Sequence, residues 1–165
     1  MKTLITYFTL SGNTKRVAEA IHEVIEGEKD IRPLVEVKSL EDYNIIFIGA
    51  PVHGFRLAKS AKEFLEKHGK GKNIALFVTH SAPEDSERLL PAIDNCKKAV
   101  AETNLVGFFN CQGELAQDIA DAMSKSDDPN VVSWAQERDK NLGQPDSTKL
   151  EQARAFAKEI MLKMS

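Results

Sequence analysis

Between Thr9 and Thr14 the chain reads Thr-Leu-Ser-Gly-Asn-Thr, a run of hydroxyl, amide and glycine residues between an apolar stretch and an amphipathic one. Lys2 to Phe8 has the composition of a strand, and from Lys15 to Ile25 the residues Val17, Ala18, Ile21, Val24 and Ile25 share one helical face. A turn joining the two aims backbone N–H groups, the Thr9, Ser11 and Thr14 hydroxyls and the positive end of the helix at one point. That is the chemistry of an anion cradle. Hydrogen bonds to a charged acceptor contribute roughly 1.5–3 kcal/mol each, so several convergent donors hold a phosphate dianion without a buried lysine. Lys15 and Arg16 follow the loop but need not enter it. A helix cap alone would need only one hydroxyl.

Other residues able to do chemistry are scattered. Cys96 falls in the apolar series Leu89, Ile93, Cys96, Val100 and reads as core, while Cys111 ends a predicted strand. With no CxxC and no Cys/His ligand spacing, neither a disulfide framework nor a zinc site is expected. His53 and His80 read as exposed loop histidines able to stack on a ring or hydrogen-bond to it.

The elements that must position these residues follow from length and pattern. At 165 residues, 42% hydrophobic and 28% charged, the chain fits one globular domain. Net charge −3 gives no electrostatic case for nucleic acid or an anionic membrane, and the densest basic group, Lys59 to Lys72, reads as a solvated helix face. The N-terminal apolar run is too short for a signal peptide, so a cytoplasmic location is expected.

A short second strand is predicted at Leu34–Val37, after a polar turn from Gly27 to Asp30. Asn44–Ala50 and Asn73–Thr79 are apolar runs expected of strands covered on both faces, and Leu105–Cys111 makes a fifth strand. Helices are expected at Leu57–His68 and Ser86–Glu102, and from Thr148, where Thr148 and Glu151 have capping-box spacing. Between strand five and that last helix lies an inserted, partly helical segment around 113–147 that holds the only tryptophan, Trp134. That tryptophan is read as an anchor for the segment, with folding back over a bound ligand as the alternative.

Five strands alternating with helices specify an α/β fold: a doubly wound five-stranded parallel sheet in the order 2-1-3-4-5, within one domain spanning 1–165. The order reverses between strands one and three, which opens a crevice at their carboxyl ends. Thr9–Thr14 lies there, facing loops at Ala50–Arg56, Thr79–Pro83 and Cys111–Glu114. Neither G-x-x-x-x-G-K-[ST] nor G-x-G-x-x-G is present. Ala50-Pro51 stands where a phosphate-receiving regulator needs an aspartate, and neither cysteine has an arginine six residues on. A ligand with one phosphate and a body long enough to span three loops remains.

In these features the chain resembles the flavodoxin family. Thr9-x-Ser11-Gly12-Asn13-Thr14 matches that family's [ST]-x-[ST]-G-x-T phosphate loop, and the likeness runs through Ile48-Gly49-Ala50-Pro51 to the final helix. The resemblance implies FMN as cofactor, its phosphate on Thr9, Leu10, Ser11, Gly12, Asn13 and Thr14. The isoalloxazine ring would then lie between Pro51, Val52, His53, Gly54 and Phe55 on one side and Thr79, His80, Ser81 and Ala82 on the other, with Cys111, Gln112 and Gly113 nearby. Gly54 would let a backbone carbonyl turn toward flavin N5 as the ring takes up a proton with an electron, because glycine tolerates both conformations. The family's usual tryptophan and tyrosine are missing from these loops.

The function so implied is electron transfer between a reductase and an acceptor enzyme, by a monomer with no catalytic side chain and no metal. A cluster of acids, Glu84, Asp85, Glu87, Glu114, Asp118 and Asp121, would rim the crevice and steer a basic partner. Two alternatives stay open: an NAD(P)H-dependent FMN or quinone reductase, and an accessory subunit dedicated to one reductase.

Overall fold

The computed structural model describes residues 1–165, in which strands and helices alternate. In chain order these are β1 (Lys2–Tyr7), α1 (Asn13–Val24), β2 (Glu28–Pro33), β3 (Ile45–His53), β4 (Arg56–Leu57), α2 (Lys59–His68), β5 (Asn73–His80), α3 (Leu89–Lys98), β6 (Asn104–Gln112), α4 (Gln117–Met123), α5 (Pro129–Gln136) and α6 (Ser147–Met164). The parallel sheet runs β2-β1-β3-β5-β6, while β4 folds back antiparallel on the end of β3. Counting parallel strands alone, this is the expected order 2-1-3-4-5. The reversal between β1 and β3 opens a crevice at the end of the sheet where the carboxyl ends of β1, β3 and β5 lie together.

Strand alternation divides the core into two layers. Ile46, Ile48 and Ala50 of β3, with Leu76 and Val78 of β5, face one cluster that includes Ala61 and Leu65 of α2 and Cys96 of α3. Ile45 and Phe47, with Ala75 and Phe77, face the other, built with Val17 and Ile21 of α1 and Ala153, Ala157 and Ile160 of α6. Burying each such leucine, isoleucine or phenylalanine contributes about 1.5–3 kcal/mol, so the runs that are apolar on both faces hold the sheet centre. Two glycines let large groups close on the sheet. A Cβ at Gly49 would lie 2.0 Å from the Phe77 ring on the paired strand, and one at Gly107 would lie 2.3 Å from Ile160 of α6.

Several expected boundaries move. The second strand is Glu28–Pro33 rather than Leu34–Val37; Leu34–Glu36 forms a 3₁₀ turn in which Leu34 is buried and Val35 exposed. An edge strand needs main-chain pairing more than apolar side chains, and β2 pairs with β1 from Lys2↔Glu28 to Tyr7↔Pro33. Its charges are matched: Lys2 of β1 lies 3.4 Å from Glu28, Arg32 lies 3.4 Å from Asp30 along the same strand, and the Tyr43 hydroxyl donates to Asp30 at 2.6 Å.

The expected turn at Gly27–Asp30 therefore shrinks to Gly27, whose φ of 84° turns the chain directly into β2. Leu57 leaves the second helix for β4, because it pairs with Val52. The third helix is shorter than Ser86–Glu102. The last helix is capped by Asp146, whose carboxylate accepts from Lys149 N–H at 3.0 Å, and not by Thr148.

Candidate functional site

The loop after β1 is shaped by one left-handed residue. Gly12 has φ 92° and precedes α1, a conformation an L side chain would strain by roughly 1–2 kcal/mol. The Thr9 hydroxyl accepts from Gly12 N–H at 3.0 Å and closes the turn. The first main-chain bond of α1 runs from Arg16 N–H to the Gly12 carbonyl, so the N–H groups of Asn13, Thr14 and Lys15 precede the ladder. Nothing in the chain accepts from Leu10 or Ser11 N–H either. Lys15 turns away to Glu19, 3.7 Å along the helix surface.

Two hydroxyls floor the loop. Thr14 and Thr79, 1% and 3% exposed, lie 2.9 Å apart at the oxygens. Two hydroxyls bring two protons, and their mutual bond uses one; the other is directed elsewhere from a buried position. Asn13 locks the loop to the end of β6 by donating to the Glu114 carbonyl at 2.9 Å. A Cβ on Gly113 would meet the Asn13 side chain at 2.6 Å, so that residue must stay small for the two loops to touch.

Beside the cradle opens a cleft of about 810 Å³. Of the expected site residues, Thr9, Leu10, Ser11, Asn13, Thr14, Pro51, Val52, His53, Gly54, Phe55, Thr79, His80, Ser81, Ala82 and Gly113 line it. Gly12, Cys111 and Gln112 do not. Gly12 shapes the loop with its backbone. The Cys111 side chain is fully buried in the α1–α6 layer, where burial pushes its thiol up to about 12, and Gln112 donates its amide to the Ser81 carbonyl at 3.1 Å.

His80 also departs from expectation. It is 6% exposed rather than a surface histidine. Its Nδ1 lies 2.9 Å from the Ala82 carbonyl and its Nε2 lies 3.0 Å from the Asn110 Oδ1, so each ring nitrogen has a partner. Burial, outweighing both hydrogen bonds, holds the imidazole pKa below its ordinary value. The ring thus props the loop after β5.

Across the cleft, β3 and β4 form a tight hairpin with Gly54 at φ 55° and Phe55 at φ 62°. Two successive left-handed residues match the twist of paired strands, but Phe55 is a bulky side chain in a region that favours glycine. Asn95 of α3 holds it by donating to the Phe55 carbonyl at 3.0 Å.

The remaining wall comes from the segment after β6, which a search confined to strand-end loops misses. Leu115, Ala116, Ile119 and Met123 around α4, with Val131 and Trp134 of α5, face Arg88 and Leu89 at the start of α3. Only the unusual length of the segment signals it in the sequence. Its base is pinned: Arg138 donates to the Leu115 carbonyl at 2.8 Å and to the Glu114 carboxylate at 3.0 Å, which also accepts from Gly143 N–H at 2.8 Å. Asn141, 2% exposed, accepts from Leu115 N–H and donates to the Ser81 carbonyl. Trp134 packs edge-on against Phe55, with ring centroids 5.5 Å apart, and the Arg88 guanidinium sits 4.9 Å from its centroid. It therefore anchors the segment and lines the cleft at once.

The acidic rim is less charged than its composition suggests. Glu84 pairs with Lys149 at 2.6 Å, Glu137 with Arg88 at 2.7 Å and Glu114 with Arg138 at 3.0 Å. Asp85, Glu87, Asp118 and Asp121 make no ion pair, Asp121 accepting from the Gln117 amide at 2.8 Å. No group of three or more His, Cys, Asp or Glu side chains is arranged to hold a metal, and no helix is long and apolar enough to cross a membrane.

Comparison with known proteins agrees with this architecture. A family model described as a flavodoxin domain matches residues 4–158. The flavodoxin-like domain-containing protein BilS of Clostridioides difficile (strain CD3) is 30% identical over 175 residues, which cover 100% of this chain and 99% of that protein. Among solved structures, oxidised flavodoxin 2 from Bacillus cereus superposes with a TM-score of 0.63 at 20% identity, over 99% of each chain. A flavoprotein in complex with FMN from Lactobacillus acidophilus NCFM gives 0.55 at 19% identity, over 75% of this chain and 99% of that one. The chain belongs to the flavodoxin family.

Proposed function

We propose that this flavodoxin-family protein is an electron carrier that holds FMN in the cleft and passes electrons from a reductase to an acceptor enzyme. FMN is the cofactor of the family, and the cleft fits it at both ends. Unpartnered N–H groups at Leu10 and Ser11, the free end of α1 and the spare proton of the Thr14–Thr79 pair suit a phosphate dianion. Apolar and aromatic walls at Pro51–Phe55, Leu115, Met123 and Trp134 suit a planar ring. The observation that carries the reading is this juxtaposition of an anion cradle and an apolar slot in one cleft.

Bound FMN supplies one- and two-electron redox chemistry; the protein positions and shields it. The cradle fixes the phosphate end without a lysine, so the helix dipole and neutral donors offset its charge. Gly54 stands at the hairpin tip, where glycine makes either peptide orientation accessible, so its carbonyl or its N–H would meet the edge of a bound ring. His80, with both ring nitrogens engaged, keeps the Ser81–Ala82 loop in place rather than moving a proton. The unpaired Asp85, Glu87 and Asp118 steer a basic partner. The protein acts as a cytoplasmic monomer of one domain, with residues 113–147 serving as the cleft's outer wall.

The same wall favours a second reading, an NAD(P)H-dependent FMN or quinone reductase, because a segment closing over a flavin also forms a substrate chamber. Equilibrium titration with FMN and with riboflavin tests the shared premise. FMN is expected to bind at least a hundredfold more tightly, the phosphate supplying the difference through several charge-assisted bonds of about 1.5–3 kcal/mol each. Equal affinities would mean that Thr9–Thr14 holds no phosphate.

A further inference from the structure

The strand-end loops provide few aromatic surfaces for a flavin ring. His80 is buried with both nitrogens engaged, and the Phe55 ring, 38% exposed at the hairpin tip, is braced on one side alone, by its T-shaped contact with Trp134. His53 lines the cleft but is exposed and makes no hydrogen bond that fixes its ring. Trp134 is different: it lines the same cleft, is half-buried, and is held from two directions. Phe55 abuts it at 5.5 Å, and Arg88, itself paired with Glu137 at 2.7 Å, places a guanidinium over it at 4.9 Å. An aromatic ring fixed before the ligand arrives loses little freedom on stacking, so its contact adds to affinity with less offsetting entropy.

We propose that Trp134, presented by α5 and held by Arg88, is the aromatic side chain against which the isoalloxazine ring packs. The inference rests on the FMN reading above and deepens it. The segment between β6 and α6 then completes the cofactor site, and Arg88 is a positioning residue that acts through Trp134. Its planar guanidinium stacks on the indole while bonding Glu137, which ties the wall to α3 and to the loop propped by His80.

Trp134 is the only tryptophan, and neither tyrosine lines the cleft: Tyr7 is 8% exposed in the core and Tyr43 bonds Asp30 at the sheet edge. An indole touching a photoexcited flavin donates an electron to it and extinguishes its emission, whereas a distant one does not. FMN-loaded protein is therefore expected to be several-fold dimmer than free FMN. Emission should recover several-fold in Trp134→Phe, with FMN affinity lower by about tenfold, the size of one aromatic contact. Arg88→Leu should recover part of the emission and Arg88→Lys less, with far-ultraviolet circular dichroism unchanged in each.

A wild-type complex as bright as free FMN overturns the inference without any variant. Equal emission from wild type and Trp134→Phe overturns it too, and both results leave FMN binding standing. Failure to take up FMN at all overturns the cofactor reading first, and this inference with it.

Discussion

Thr14 carries more than its place in a motif conveys. Its hydroxyl lies 2.9 Å from that of Thr79 at the floor of the cleft, so the pair both braces β5 and leaves one proton for a ligand. Replacing Thr14 by Val keeps the shape and removes that donor. FMN affinity should fall by about tenfold, the equivalent of one charge-assisted bond of roughly 1.5 kcal/mol, while riboflavin affinity stays nearly constant in parallel titrations. Equal losses for the two flavins would show that Thr14 acts on the fold alone. His80 gives a second residue-level outcome. Burial holds its folded pKa below the ordinary value of about 6.5, so the unfolded chain binds more protons near that pH and stability rises with pH. The contribution is complete above about 6.5 and is lost as pH falls from there toward the depressed folded value. His22, lowered mainly by burial and then by Lys29, acts in the same direction. Urea unfolding should give lower stability at acid pH, and a slope below neutrality that is smaller in His80→Gln.

Among the elements, the strands and the first loop were legible because their signals are local. An apolar run covered on both faces and a glycine-containing hydroxyl loop at a strand-to-helix turn need no distant partner to be read. β2 was misplaced because an edge strand is defined by main-chain pairing with β1, and its Glu28–Pro33 side chains carry charges matched across the edge. The sequence leaves Trp134 against a ligand only as an alternative and gives Arg88 no place in the cleft wall, because their neighbours, Phe55 and Glu137, lie far away in sequence. The position of Cys111 at a strand end points to the site; alternation turns its side chain into the α1–α6 layer instead. Two substitutions test these contacts. Gly107→Ala puts a Cβ 2.3 Å from Ile160 and should cost about 1–3 kcal/mol by thermal or denaturant unfolding, as α6 is pushed off β6. Arg138→Leu removes bonds to the Leu115 carbonyl and the Glu114 carboxylate. Hydrogen exchange should then rise across α4 and α5, with the amides of β1, β3 and β5 still protected.

For the molecule as a whole, a rigid sheet presents three strand-end loops and a pinned outer segment around one cleft, and the flavodoxin family places FMN in such a cleft. Whether electrons enter from a protein or from a nicotinamide distinguishes the carrier from the reductase. The cleft's charged side chains bear on this. Three of its neighbouring acids are neutralised by Lys149, Arg88 and Arg138, while Asp85, Glu87, Asp118 and Asp121 make no ion pair. The most direct measurement is the visible spectrum of the FMN-loaded protein without oxygen as NADH or NADPH is added. A carrier keeps its oxidised flavin band until a reductase or dithionite is supplied, whereas loss of that band within seconds of adding nicotinamide alone would contradict the assignment.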